Sequence, residues 1–225
     1  MANNTQKAGL KKALIPLVLL FGPAIAFLLI YVSGCEHRFE RLDDYGVVPA
    51  YRLTDASGKV LTNKDFEENS VIFTTIQPTC PDSCGISIWH FDQLIFQKVR
   101  VNQKRMKDVR IVSIVTDVNG NPVDQIKDVE FMLRDRVEGY DPKIWMVVSG
   151  DPKTVYNITH NNQSLIQKGK QYFGGYSYQE LMLLVDKNNH LRMAFPGKTE
   201  STIRKMKDYV SLLHREYREQ NLEKK

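Results

Sequence analysis

The chain has 225 residues, 42% of them hydrophobic and 25% charged. That supplies one domain of about 150 to 200 residues with its own core and excludes a disordered polypeptide. Three cysteines are too few for a disulfide-stapled scaffold. The formal net charge is +5, but Lys7, Lys11 and Lys12 carry three of those charges, and the +2 left over is no electrostatic footprint for nucleic acid.

Those lysines precede Ala13 to Cys35, ALIPLVLLFGPAIAFLLIYVSGC, 23 positions without a charged residue. About 20 apolar residues cross the hydrocarbon core of a bilayer as one helix, and Pro16, Gly22 and Pro23 are tolerated in such helices. The expectation is an N-terminal transmembrane helix with its lysine end in the cytoplasm and everything after Cys35 exported. The alternative is cleavage at Val32-Ser33-Gly34-Cys35, which has the form of a lipoprotein signal and would leave Cys35 lipidated. The apolar stretch is longer than a usual signal core of about 7 to 15 residues. Either way the domain is tethered, with residues 1–35 as cytoplasmic tip and anchor.

Residues 36–50, EHRFERLDDYGVVPA, read as a linker, and the folded domain is expected over 51–217 with a polar tail at 218–225. YRLTDASGKVLT (51–62) carries a turn composition at Asp55 to Gly58 and predicts a hairpin. SVIFTTI (70–76) is β-branched and nearly all apolar, the signature of a buried central strand. A helix is predicted from about Asp82 or Ser83 to Arg105, with Cys84, Ile88, Phe91, Ile95 and Val99 on its core face.

RIVSIVTD (110–117) predicts a second buried strand. VDQIKDVEFMLRDRV (123–137) predicts a second helix with Ile126, Val129, Met132 or Leu133 and Val137 on one stripe. KIWMVVSG (143–150) is a third strand, and TVYNITHNNQSLIQ after it has helical character. ELMLLVDKNNHLRMAF (180–195) predicts a hairpin turning at Asp186 to Asn189. A last helix places Ile203, Met206, Val210, Leu213 and Tyr217 on one face. Trp89, Trp145, Met132, Met182, Met193 and Met206 read as packing residues. This order implies an α/β thioredoxin-like fold, a central mixed sheet flanked by helices.

Cys80 and Cys84, in QPTCPDSCGISIW, fall where the first central strand gives way to a helix. Unpaired backbone N-H groups and the helix dipole there favour the thiolate, which is both nucleophile and metal ligand. Three intervening residues allow a disulfide, a redox dithiol or two converging ligands for a soft ion such as Cu(I). A purely structural staple would close so short a loop that it constrains the unfolded chain little.

IFTTIQPTCPDSCGISIWHFDQL resembles the copper-site segment of the Sco/SenC family, in which an apolar strand and F-T precede C-P-D-x-C-P and a helix; Cys80, Pro81, Asp82 and Cys84 match. RLTDASGKVLTNKDF, RIVSIVTD ending at Asp117, and YSYQELMLLVDKNNHLRMAF extend the resemblance over roughly residues 45 to 215. It implies a membrane-anchored, thioredoxin-like accessory protein, more a metallochaperone than an enzyme with thiol-disulfide oxidoreduction left open, facing the periplasm from the bacterial inner membrane and acting as copper donor, as reductant of its client's cysteines, or both. Family members bind copper, as Cu(I) or Cu(II), through two Cys and one His and assist assembly of the copper centre of cytochrome c oxidase. The implied partner is the copper-bearing oxidase subunit or another exported thiol protein.

Two positions depart from the family pattern. Gly85 stands where proline is usual, and the loop that carries the family's copper-binding His reads Phe173-Gly174-Gly175-Tyr176-Ser177, with Tyr176 at the His position. A neutral phenol is a poor Cu(I) ligand, so the third ligand stays open. His37, His90, His160, His190 and His214 read as ordinary histidines, His160 being the hardest to exclude because the path of its segment is unknown. The alternatives to copper delivery are thiol-disulfide exchange by the same pair, with Cys80 attacking and Cys84 resolving, or a tethered binding module. No proline lies between Pro152 and Pro196, which argues against an ordinary thioredoxin or general disulfide reductase, whose fold places a cis-proline loop before the closing hairpin.

Overall fold

Residues Ser70–Ile76 form β3, a strand whose seven side chains are all buried, as expected of a β-branched apolar run walled in on both faces. It lies at the heart of a computed structural model that describes residues 21–23, 25, 27, 41–79, 86–160, 163–164, 166–167, 170–171 and 178–223. The chain divides into two compact units, 1–40 and 41–225. In the first, the described residues are helical. Among the described residues no helix is long and apolar enough to cross a membrane; most of the expected anchor, Cys35 included, lies outside them.

The second unit is built on a seven-stranded sheet. In chain order its strands are β1 (Leu53–Asp55), β2 (Val60–Leu61), β3, β4 (Val109–Val115) and β5 (Trp145–Ser149), then β10 (Leu181–Val185) and β11 (Leu191–Pro196). Four two-residue strands, β6 (Thr159–His160), β7 (Gln163–Ser164), β8 (Ile166–Gln167) and β9 (Lys170–Gln171), form two small ribbons apart from it. The sheet order is β11-β10-β3-β4-β5-β1-β2. β3 pairs parallel with β4 and β4 with β5, and the outer strands pair antiparallel. This is the mixed sheet that the element order implied.

The helical elements are α1 (Ile88–Phe91), a π-helical stretch Asp92–Phe96, α2 (Gln97–Val101), α3 (Ile126–Arg136), α4 (Pro152–Tyr156) and α5 (Glu200–Glu223). Alternate strand residues point to opposite faces, so each side of the sheet has its own core. Ile72, Ile76, Ile111, Val115 and Trp145 pack with Ile88, Phe91, Ile95 and Val99, with Val129 and Leu133 of α3, and with Ile203, Met206, Val210, Leu213 and Tyr217 of α5. On the other face Phe73, Val112, Ile114 and Val148 meet Val48, Tyr51, Phe66, Val155 and Tyr156. Each large apolar side chain so buried contributes about 1.5 to 3 kcal/mol. The buried Thr74 and Ser113 hydroxyls bond each other at 2.6 Å, and the Trp145 indole donates to Ser113 at 2.8 Å, so these three polar groups are satisfied inside the sheet.

Four expectations change. The first long helix opens at Ile88 rather than at 82–83 and ends at Val101 rather than Arg105, because the Ser87 amide donates to the Gly197 carbonyl at 2.9 Å instead of entering a helical turn. Among the described residues the segment after β5 is helical over Pro152–Tyr156 and then turns to strand at Thr159–His160. The expected polar tail continues α5 to Glu223. Residues 41–50, expected as linker, are sewn to the domain: Leu42 and Val48 are buried, and the Tyr45, Val48 and Leu191 amides bond across to Leu191, Asn189 and Gly46.

The terminal hairpin turns as expected. Asn189 adopts φ 63°, a left-handed conformation that asparagine tolerates. Asp186 accepts from the Asn188 and His190 amides at 2.9 Å.

Candidate functional site

The two cysteines lie outside the described residues, so the site is defined by what flanks them. β3 ends at Ile76, and Gln77, Pro78 and Thr79 lead toward Cys80. The chain is described again from Ile86, whose side chain is buried and lies against Gly197: a Cβ on that glycine would meet Ile86 Cγ1 at 2.5 Å. Together with the Ser87 amide bond to Gly197, this fixes the far end of the cysteine segment to the end of β11.

A second segment converges on the same strand end. Tyr178–Glu180 forms a 3-10 turn just after Tyr176. Thr75 Oγ1, one residue before the end of β3, donates to the Gln179 carbonyl at 2.8 Å. Gln179 Nε2 donates to the Asp117 carbonyl at 3.1 Å, and the Tyr178 hydroxyl donates to the Gly120 carbonyl at 3.1 Å. Gly120 has φ 81°, and a Cβ there would collide with the Tyr178 hydroxyl, so both the turn and the phenol require glycine. Tyr156 packs its ring 5.6 Å from that of Tyr178. Burial, with Asp151 and Asp117 nearby, pushes the Tyr178 hydroxyl up from the usual phenol range.

Asp117 closes the turn after β4. Its carboxylate accepts from the Asn121 side chain at 2.9 Å and from the Asn121 and Asn119 amides at 2.8 Å. These bonds, the Asn121 side chain first, hold its pKa below the ordinary carboxylate value, because hydrogen bonds to the charged form favour it. Asp117 therefore shapes the loop as a fixed anion rather than shuttling protons.

The sequence-predicted ligands divide as follows. Cys80, Cys84 and Tyr176 fall outside the described residues, as does His37. Only the backbone of His160 is described, in β6. His90 sits on α1, its Nδ1 2.9 Å from the Ser87 hydroxyl. His190 pairs with Asp44 at 2.7 Å, and His214 lies beside Asp108 at 3.7 Å. His190 and His214 flank the amino end of β3, through the pairing of Val185 with Val71 and the bond of Tyr217 with Ser70, so neither approaches the cysteine segment. Among the described residues no three His, Cys, Asp or Glu side chains converge on a metal position.

Trp89 departs from expectation. It is 65% exposed, stacked edge-on against His90 with ring centroids 4.9 Å apart, whereas Trp145 is buried as predicted. Missed altogether were Thr75 and Gln179, whose roles depend on a contact across 104 residues that no local pattern signals.

The family model described as SCO1/SenC matches residues 40–214. Comparison with curated protein sequences returned no match. Among solved structures, BsSco, described as a member of the Sco family of cytochrome c oxidase assembly proteins with a disulfide switch, superposes with a TM-score of 0.55 at 15% identity, covering 78% of this chain and 98% of its own. A protein of Aquifex aeolicus follows at TM-score 0.50 and 15% identity, covering 76% of this chain and 96% of its own. Yeast Sco1 with copper bound has a TM-score of 0.46 at 14% identity, covering 74% and 89%. The first two share the fold described above; the family match spans most of the chain, and the protein belongs to the SCO1/SenC family.

Proposed function

We propose that this chain is a tethered copper carrier for the assembly of the cytochrome c oxidase copper centre, with Cys80 and Cys84 as a dithiolate that takes Cu(I) as cargo. One observation carries the reading. The Thr75 to Gln179 bond joins the strand that leads into Cys80 to the turn that follows Tyr176, so both segments start from one point. Cys80 is five residues from Thr75 and Tyr176 three from Gln179, within about 18 Å and 11 Å of chain at full extension.

Two soft thiolates suffice for linear coordination of Cu(I), and transfer would proceed by exchange of these thiolates for those of the client. The family's His is replaced by Tyr176, and a phenol with an ordinary pKa near 10 is a weak donor to Cu(I). The Cu(I) complex should therefore be more weakly held and more readily released than one closed by an imidazole. The reading includes the anchor over 13–35 and a periplasmic domain, supported by the charge-free run behind three lysines and by Phe21, Ile25 and Phe27, which are exposed within their own unit.

A second reading follows from Tyr176 itself. Without a third ligand the pair can act as a dithiol: the Cys80 thiolate attacks a client disulfide, expelling one client thiolate and forming a mixed disulfide. The Cys84 thiolate then attacks Cys80 and expels the second, so the client gains two electrons and the pair becomes a disulfide.

Anaerobic Cu(I) titration of the reduced full chain against a competing chelator tests the choice. One tight equivalent, lost in Cys80→Ser and in Cys84→Ser, is the expected result. Absence of tight binding together with a measurable dithiol potential would leave the exchange reading in its place.

A further inference from the structure

The opposite end of the sheet carries a basic groove of about 820 Å³ between α2, the loop after it and α5. Its cations are Lys98, Lys104, Arg105, Lys107, Lys187 and Arg218, against the carboxylates of Glu68 and Asp108. The groove thus holds more positive charge than the whole of residues 41–225, whose net charge is +3 by count. Among the described residues none of the six has a carboxylate partner. Lys98 reaches only the Ser211 hydroxyl, at 3.4 Å, and Lys187 lies 4.7 Å from the centre of the Tyr217 ring.

The position of the groove gives it meaning. Ser70, the first residue of β3, bonds Tyr217 through its hydroxyl at 3.5 Å and the Asp108 carbonyl through its amide at 2.9 Å, and both partners line the groove. Cys80 follows the other end of this seven-residue strand, about 20 Å away. The chain also enters the domain at the groove's end: the Leu42 amide donates to Glu216 at 3.4 Å, next to Tyr217 and Arg218 on α5. Only six residues separate Leu42 from Cys35, the last of the charge-free run.

Two exposed apolar side chains share helix faces with these cations. Val101, 74% exposed, is three residues from Lys98, and Leu222, 71% exposed, is four from Arg218; residues so spaced are neighbours on a helix. Free anions recognise charge alone, whereas a lipid surface takes basic and apolar side chains together.

We infer that this groove is a docking surface for the headgroups of anionic phospholipids. Headgroups held there would contact the amino end of β3, the end opposite the one that leads toward Cys80. The inference rests on the reading of 13–35 as an anchor, which brings the domain to a membrane.

Lysine acetylation footprinting of the full chain in lipid nanodiscs tests it. Discs of phosphatidylcholine alone are compared with discs about one third phosphatidylglycerol. Lys98, Lys104, Lys107 and Lys187 are expected to react severalfold more slowly in the anionic discs at low salt. The difference should vanish at high salt and in an Arg105→Glu, Arg218→Glu variant of unchanged thermal stability. Lys127 and Lys153, which follow the carboxyl ends of β4 and β5, should react alike in both.

Equal reactivity in both compositions, or protection that survives the double variant, would overturn the inference. So would equal protection by inorganic phosphate in phosphatidylcholine discs, which would make the groove a site for soluble anions. Failure of the chain to enter discs at all would instead count against the anchor. The groove is then read on the same chain with vesicles of the two compositions.

Discussion

Thr75 and Gln179 stand 104 residues apart in sequence and share a hydrogen bond of 2.8 Å from hydroxyl to carbonyl. Thr75 is buried, and its neighbour Ile76 ends the central strand. The bond sets where the segment before Gln179, with Tyr176, departs relative to the segment that leads to Cys80. Thr75→Val keeps the shape and removes the donor. It should lower stability by about 1 kcal/mol and weaken Cu(I) binding, and Thr75→Ser should restore both. Chemical denaturation beside chelator competition separates the two effects, since loss of stability alone would leave copper affinity where it was.

Gly197 and Ile86 fix the other end of the cysteine segment. A Cβ on Gly197 would lie 2.5 to 3.1 Å from three Ile86 side-chain atoms, tighter than packed side chains accept. Gly197→Ala should cost about 1 to 3 kcal/mol through overpacking. Ile86→Ala opens room, so the double variant should be more stable than the sum of the two losses implies. Additive losses in a double-mutant cycle would show that the two residues do not press on one another.

Arg192 ties the entering chain to the domain. Its guanidinium donates to the Asp43 and Leu42 carbonyls and pairs with Asp186 at 3.1 Å and Glu216 at 3.0 Å, and all three side chains are at least nine-tenths buried. Arg192→Met would leave the Asp186 and Glu216 carboxylates buried without their cation, at a cost of about 3 to 5 kcal/mol. A urea midpoint close to that of the wild type would show that water or another cation replaces the guanidinium.

His214 makes stability depend on pH. Burial holds its pKa below the ordinary value of 6.5, with Asp108 opposing that shift and Arg218 adding to it. The unfolded chain takes up a proton near the ordinary value, whereas the folded protein stays neutral until a lower pH. The folded state therefore keeps its full margin above about pH 6.5 and loses part of it as pH falls through the window below. His214→Gln should flatten this slope in denaturation midpoints taken from neutral to mildly acid pH. An unchanged slope would assign the effect to other groups.

Much of the fold could be read along the chain because burial on two faces writes itself into composition. SVIFTTI and RIVSIVTD are dominated by β-branched and apolar residues since helices cover one side of the sheet and residues 41–66 with α4 cover the other. The stripe Ile203, Met206, Val210, Leu213 and Tyr217 gave α5 its buried face, and all five are buried.

What could not be read depends on contacts between distant segments. The start of the first long helix is set by the Gly197 carbonyl, 110 residues beyond Ser87. Once the helix opens at Ile88, Trp89 falls on the outward face, although its size argued for packing. Residues 41–50 look like linker by composition, but they are held by Arg192, Leu191 and Asn189 of the terminal hairpin. At the site, the cysteines announce themselves by spacing, while Thr75, Gln179 and Gly197 hold ordinary residue types and gain their roles only through tertiary contact.

X-ray absorption at the copper edge, on the full chain loaded with one equivalent of Cu(I) and on its Tyr176→His variant, decides whether Cys80 and Cys84 hold the metal by themselves. Two sulfur neighbours and no imidazole are expected in the wild type, with a histidine signature and tighter binding gained in Tyr176→His. Copper without sulfur neighbours, or an imidazole already present in the wild type, would contradict a carrier built on Cys80 and Cys84 alone.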